Sequence, residues 1–289
     1  MSTLDVAVRA PVSRGERLDP LAALALPATA YLVIAFAVPL VLLLVTSVWT
    51  PAGLSIDGYV KFFSDSYGWR VMWNALRAAL WTTAICLVIG YPVGFALARS
   101  RGLVQVLLLV ALILPLSVGV VVKAFAWTIL LRSNGVVNQL LLATGAAGEP
   151  VRFIFTEAGL VVGAVNIFLS FMVLPIFSVV KLIDGRLLDA AATLGASPLH
   201  RFLRVTVPLS MPGVIAGVAF VFSMSISMYV IPTLLMGDRY QTMSTLIARS
   251  YLFMRDRSLG SAVAVVLLAI AVAVVVLSGS MARRSRDVR

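Results

Sequence analysis

Six long apolar stretches, separated by shorter segments that hold most of the charged residues, dominate the chain. They cover approximately residues 24–49, 73–98, 104–131, 158–181, 213–236 and 259–281. Each is long enough to cross a bilayer, whose apolar core of about 30 Å needs roughly 20 residues in a helix. Because backbone amides in lipid must be paired internally, these stretches should be helices. The pattern predicts an all-α membrane protein with six transmembrane helices.

The composition agrees with membrane insertion and excludes several soluble classes. The 289 residues are 61% hydrophobic and 12% charged, with a mean hydropathy of +1.04. Soluble domains carry about 25% charged residues. The single cysteine, Cys86, cannot form an internal disulfide, and the single histidine, His200, cannot form a zinc cluster alone. The basic residues that give the net charge of +11 lie between the apolar stretches. This position indicates that they flank membrane spans and do not form a nucleic-acid surface.

The positions of Lys and Arg predict the orientation in the membrane. A cytoplasmic N-terminus places more of the 23 basic residues in the inner segments than in the outer loops, by a modest margin. We therefore expect a cytoplasmic N-terminal segment (1–23), a six-helix domain (24–281) and a cytoplasmic tail (282–289), so that both termini are cytoplasmic.

The sequence contains no recognisable catalytic machinery. All three lysines follow a valine, so there is no Gly-Lys pair and no Walker A phosphate loop. HExxH, GxSxG and paired-cysteine motifs are absent, and we expect no catalytic or metal-binding residues. No predicted span contains Asp, Glu or His, which argues against a proton-coupled carrier.

A few polar and aromatic side chains within the spans are candidates for a solute pathway. Lys123 would lie about 12 Å from the outer end of its span at 1.5 Å per residue, where it either snorkels to the interface or serves the pathway. Asn166 either bonds a neighbouring helix or contacts solute. The candidate pathway residues are Lys123, Trp127, Asn166, Phe222, Ser223, Ser227 and Tyr229.

The last outer loop has a helical pattern of its own. Tyr240, Met243, Leu246, Ile247, Tyr251 and Met254 recur at helical spacing, with arginines among them. This pattern favours either an amphipathic helix at the outer membrane surface or a solvated loop folded onto the protein.

Small residues and prolines recur within the spans. Glycines spaced four apart, as in Gly90/Gly94, Gly159/Gly163 and Gly213/Gly217, allow close helix packing. Prolines remove backbone donors and predict kinks at Pro39, Pro92, Pro115, Pro175 and Pro232.

The longest inner segment, residues 186–213, predicts a helix–turn–helix. Leu and Ala favour a helix over 186–194, and Gly195 ends it with a sharp turn. A second short helix should cover 198–207 and end at Pro208.

The second helix has clear start signals. Ser197 suits the N-cap and Pro198 the first helical position, while Pro212 should open the next span. The exposed side presents Ala, Leu and Thr more than charge, and an apolar helix outside the bilayer must bury this side. Either a groove on a partner or the protein's own spans would cover it.

The same segment resembles a known motif. The residues Asp189-Ala190-Ala191, Gly195-Ala196-Ser197, Phe202, Pro208 and Pro212-Gly213 are similar to the EAA loop of permease subunits of binding-protein-dependent ABC importers, with Asp189 in place of the usual Glu. Residues 90–99, 121–143 and 255–262 resemble the spermidine/putrescine-type branch, which also includes importers of opines and phosphonates.

This resemblance implies a type I importer in the bacterial inner membrane. Two permeases, the second a related chain, would form the pathway, two ATP-binding subunits would hold ATP and Mg, and an extracytoplasmic solute-binding protein would deliver the solute. The EAA loop between helices 4 and 5 would act as the coupling helix. The residues assigned to coupling are Asp189, Ala190, Ala191, Gly195, Ala196, Ser197 and Leu199.

The solute is less sharply indicated. A polyamine, an opine, an amino-acid-like compound or a phosphonate fits the branch. Lys123 favours an anionic or zwitterionic solute, because the spans offer aromatic faces but no acids for a dication. A secondary-active carrier and a non-transport membrane assembly subunit are the alternatives. The first needs an ion-coupling site, and the second gives no reason for the spaced EAA loop.

Overall fold

The computed structural model describes residues 20–50 and 53–287. Most of the predicted N-terminal segment, residues 1–19, lies outside them. The described chain is almost wholly helical, with one two-residue strand pair, Trp49–Thr50 and Gly53–Leu54. The helices are α1 (Pro20–Val48), α2 (Asp57–Ser64), α3 (Ser66–Arg99), α4 (Gly102–Ser117), α5 (Val120–Leu130), α6 (Val136–Ala143), α7 (Glu157–Lys181), α8 (Gly185–Thr193), α9 (Pro198–Arg201), α10 (Val207–Ile226), α11 (Val230–Leu235), α12 (Met243–Arg249) and α13 (Arg257–Asp287).

The chain divides into two compact units. The first ends at Val45 and contains most of α1, whose described apolar side chains, such as Phe36 and Ile34, are exposed. The second begins at Thr46 and contains α2 to α13. The last helix reaches Asp287, so most of the predicted tail 282–289 continues α13.

Helix α7 lies at the centre of the second unit, between α3 and α10. Its Met172 and Ile176 are fully buried. A Cβ atom at Gly90 of α3 would lie 2.7 Å from the Met172 Cγ, and one at Gly217 of α10 would lie 2.8 Å from its Sδ. The prediction that these glycines allow close helix packing is confirmed, because a methyl group at either position would force Met172 to move.

The third of the six predicted spans, 104–131, is bent in the structure. Among the described residues, five helices are long and apolar enough to cross a membrane, and a sixth span exists only as the bent pair α4 and α5. These two helices meet at an angle of 101° across Val118 and Gly119. Both residues have extended backbone and follow Pro115 by three and four positions. The missing N–H of this proline weakens the last turn of α4.

The fifth predicted span, 213–236, is also interrupted. Helix α10 ends at Ile226, and the chain leaves helical geometry before α11 begins at Val230. Helix α11 packs against α5 and α7. Ser227 and Tyr229 therefore lie in a break, whereas the sequence pattern predicted a continuous helix there.

The outer loop forms a helix that is folded onto the protein. Thr242 and Thr245 form a capping box at the start of α12. Met243 and Leu246 are buried in a core cluster with Val71 of α3 and Val263 of α13. The apolar face of α12 therefore packs against its own bundle, which favours a segment folded onto the protein over a helix that buries this face in the membrane surface.

Candidate functional site: the helix–turn–helix and the polar outer end

The segment between α7 and α10 has the predicted helix–turn–helix geometry at its start. The side chain of Asp184 accepts a hydrogen bond from the Arg186 backbone N–H at 2.9 Å and caps α8. Gly195 has a φ of +78°, which only glycine adopts without strain, and its N–H donates to the Ala192 carbonyl. Ser197 then accepts from the His200 N–H at 3.3 Å, as an N-cap should.

The second helix does not end at Pro208 as predicted. Helix α9 continues through a π-helical turn, Phe202–Thr206, directly into α10. The Val207 N–H donates to the Phe202 carbonyl, so the helix backbone widens just before Pro208. Proline has no backbone N–H to donate, so it fits at this next position. The motif is therefore joined to α10 without a break, and Pro212 lies inside this helix.

The motif presents apolar side chains to its surroundings. Leu194 is 88% exposed and Leu199 67% exposed, and Leu187 and Leu203 are also largely exposed. Asp189 and Ala190 are exposed, while Ala191 and Ala196 are half-buried. Within the described chain, the protein's own spans do not cover this face, which favours the partner groove over the alternative left open by the sequence.

An aromatic cluster joins the motif to α3. The Phe202 ring packs edge-on against Tyr91 and Phe95, with centroids 6.0 and 5.3 Å away. The Tyr91 hydroxyl hydrogen-bonds the Ser210 hydroxyl at 3.0 Å. A displacement of the helix–turn–helix would therefore be passed to two long helices, α3 and α10.

The structure brings together only some of the candidate pathway residues. The Trp127 indole N–H donates to the Asn166 side-chain oxygen at 3.1 Å, which joins α5 to α7. The Ser227 hydroxyl bonds back to the Ser223 carbonyl at 2.8 Å. Phe222, only 6% exposed, packs in the core with Val71 and Ala75 of α3, whereas Tyr229 is 44% exposed at the helix break.

The depth calculated for Lys123 does not hold. It assumed one straight helix, but Lys123 lies on α5, just after the 101° bend from α4. Its side chain is half-buried. Distance along the chain therefore does not give its depth, and the choice between snorkelling and a pathway role stays open.

A polar cluster near the first turn of α7 was missed by the sequence reasoning. The Arg77 guanidinium forms an ion pair with Glu157, with its Nε 2.7 Å from the Oε1 of that carboxylate. The Tyr240 hydroxyl donates to the Asn74 carbonyl at 3.1 Å. Arg77 and Glu157 are 80 positions apart, and no local spacing pattern pairs them.

Comparison with known proteins decides the family. Residues 90–289 match the family described as "Binding-protein-dependent transport system inner membrane component". The chain belongs to this family. It is a permease subunit of a binding-protein-dependent ABC importer of the inner membrane, as the EAA-like segment predicted.

Curated relatives place this permease near the polyamine branch of the family. It is 34% identical to the spermidine/putrescine transport system permease protein PotB of Haemophilus influenzae over 73% of this chain and 74% of that protein. PotB of Escherichia coli is 34% identical over 74% and 77%. The molybdenum transport system permease protein ModB of Mycobacterium bovis is 30% identical over 72% and 77%.

Solved structures share the fold of this permease. A bacterial ABC transporter that imports the acidic polysaccharide alginate matches with a TM-score of 0.73 at 19% identity, over 92% of this chain and 95% of that one. The MetNI methionine ABC transporter matches with a TM-score of 0.54 at 16% identity, over 75% and 94%. At such identities the likeness shows the fold alone.

Proposed function

We propose that this permease forms half of the solute pathway of an ATP-driven importer and takes up the motion of an ATPase through residues 185–201. The exposed apolar helix–turn–helix carries the proposal, since leucines such as Leu194 and Leu199 need a partner surface. Two ATP-binding subunits with ATP and Mg would lie against it. A second, related permease would complete the pathway, and an extracytoplasmic binding protein would deliver the solute.

Each residue of the coupling segment has a physical task in this proposal. The small side chains of Ala190, Ala191 and Ala196 allow close approach of a groove, and Leu199 fills an apolar part of it. Gly195 and Ser197 set the turn between the two helices. Asp189 keeps the acidic group of the family motif, one methylene closer to the backbone.

Motion would pass from the coupling segment into the bundle through the Phe202 contacts. Because α9 runs without interruption into α10 and Phe202 packs on α3, a shift of the segment moves both helices as a rigid unit. Closing of the ATPase pair would then bias the permeases between inward-open and outward-open states.

The proposed solute is small and polar and carries at least one amine. The PotB relatives transport spermidine and putrescine by name, which supports an amine. Polyamines, opines and amino-acid-like compounds all satisfy this description. Trp127, Asn166 and Tyr229, with Lys123 nearby, are the proposed contacts along the path.

Replacing Ala190 by arginine tests the proposal. A long charged side chain on the exposed face of α8 should prevent the ATPase from docking, so co-purification of the ATPase with the permease should fall at least tenfold. Ala146→Arg is the matched control, because Ala146 is exposed in the loop between α6 and α7, and it should not affect co-purification. Unchanged recovery of the ATPase with Ala190→Arg would refute the proposed docking surface.

A further inference from the structure

Two adjoining cavities lie at the end of the bundle opposite the helix–turn–helix. The larger, of about 1070 Å³, is lined by α2, the start of α3 and the segment 238–259. The smaller, of about 350 Å³, contains Tyr229 and Thr233 at the break between α10 and α11. Asp238, Gln241 and Arg249 line both cavities and so form their common wall.

Several charges around the larger cavity are already neutralised within the protein. The Lys61 ammonium donates to the Asp256 carboxylate at 2.9 Å, and this hydrogen bond raises the pKa of Lys61. The Asp65 carboxylate accepts from the Tyr67 backbone N–H at 2.9 Å as a helix cap. These acids and this lysine are therefore engaged by their neighbours.

The common wall keeps one acid and one base available. Within the described chain, neither Asp238 nor Arg249 takes part in an ion pair. Both side chains are exposed where they line the two cavities. Among the residues whose side chains the structure describes, the smaller cavity has no other charged residue, so this lining offers one negative and one positive group.

The uncharged lining suits an ammonium group. Tyr229 is 44% exposed and Phe253 is 79% exposed, so both rings offer faces on which a cation can rest. The amide of Gln241 is fixed, because its nitrogen donates to the Asp238 carbonyl at 3.3 Å and its oxygen accepts from the Thr245 hydroxyl at 3.2 Å.

The segment that carries Asp238 is tied to the bundle. The Asn74 side chain donates to the Gln241 carbonyl at 3.2 Å, and Tyr240 donates to the Asn74 carbonyl. Burial and the charge of Glu157 raise the pKa of Tyr240 to about 12, so its hydroxyl stays a donor. A wall held in this way is arranged before a solute arrives.

We propose that the smaller cavity is a subsite for a zwitterionic solute, with the ammonium at Asp238 and the aromatic rings and the acidic group at Arg249. The inference rests on the proposed function and narrows its amine-bearing solute to one that also carries an acid. A dication would place one charge against Arg249, and a dianion would place one against Asp238, so both bind less well than a molecule with one of each.

Three probes of equal chain length test this charge pattern: γ-aminobutyrate, putrescine and succinate. Binding is measured by calorimetry on the assembled, nucleotide-free importer without its binding protein. γ-Aminobutyrate should bind at least tenfold more tightly than the other two. Asp238→Asn and Arg249→Gln should each weaken γ-aminobutyrate binding about tenfold. Arg249→Gln should also strengthen the binding of putrescine.

Matched variants separate the subsite from general surface charge. Arg70→Gln changes a base that lines only the larger cavity, and Glu149→Gln changes an exposed acid in another loop; both should leave γ-aminobutyrate binding unchanged. The proposal is overturned if putrescine or succinate binds as tightly as γ-aminobutyrate, if no probe binds, or if Asp238→Asn and Arg249→Gln have no effect. Co-purification of the ATPase is scored in the same preparations, so a failed subsite is distinguished from failed coupling.

Discussion

Gly195→Val should reduce ATP-driven uptake at least tenfold. The Gly195 φ of +78° lies in the left-handed region, which costs ordinary residues about 1–2 kcal/mol and a β-branched residue more. Nothing lies within 4 Å of a Cβ built at this position, so the strain acts on the turn and not on packing. The turn between α8 and α9 should reshape while the bundle stays folded.

Uptake into proteoliposomes that contain the assembled importer checks this result. Gly145→Val is the matched control, because Gly145 has a similar left-handed φ of +69° and open space around it but lies in the loop between α6 and α7, so this variant should not affect uptake. Gly195→Asn should retain partial uptake, since asparagine tolerates this conformation better than valine. Wild-type uptake by Gly195→Val would show that the geometry of this turn is not needed.

Gly213→Leu should prevent stable folding of the bundle. A Cβ at this position would lie 2.7 Å from the Pro175 carbonyl oxygen and 3.1 Å from the Ile176 Cα, both backbone atoms of α7. Helices α7 and α10 would have to separate, and overpacking of this kind costs about 1–3 kcal/mol or more.

The yield and thermal unfolding midpoint of the purified importer measure this loss. Gly279→Leu in α13 is the control, because nothing lies within 4 Å of a Cβ there and it should leave both quantities unchanged. A normal midpoint for Gly213→Leu would mean that α10 does not pack on α7 as described.

The sequence predicted those parts of the structure that short-range physics determines. Apolar stretches of bilayer length gave the spans, and the Gly195 and Ser197-Pro198 signals gave the turn and the start of α9, because backbone conformation at these residues depends on local chemistry. The glycine pairs predicted close helix packing because they have no side chain, but they did not predict which helix would fill the space.

Features that depend on contacts between distant segments could not be predicted. The break after Ile226 lies in a stretch as apolar as a straight span, and although a kink was predicted at Pro115, its angle of 101° was not. The position of α12 depends on a core that α3 and α13 complete. The ion pair of Arg77 with Glu157 likewise joins chain segments that meet only in the folded bundle.

Cysteine cross-linking in the assembled importer tests the central claim most directly. The only cysteine, Cys86, is fully buried, so an introduced cysteine would be the reactive thiol of this chain. Leu199→Cys should cross-link to the ATPase, whereas Phe253→Cys, similarly exposed in the segment between α12 and α13, should not. If Leu199→Cys failed to cross-link to the ATPase, or if Phe253→Cys did so equally well, the coupling role of the helix–turn–helix would be contradicted.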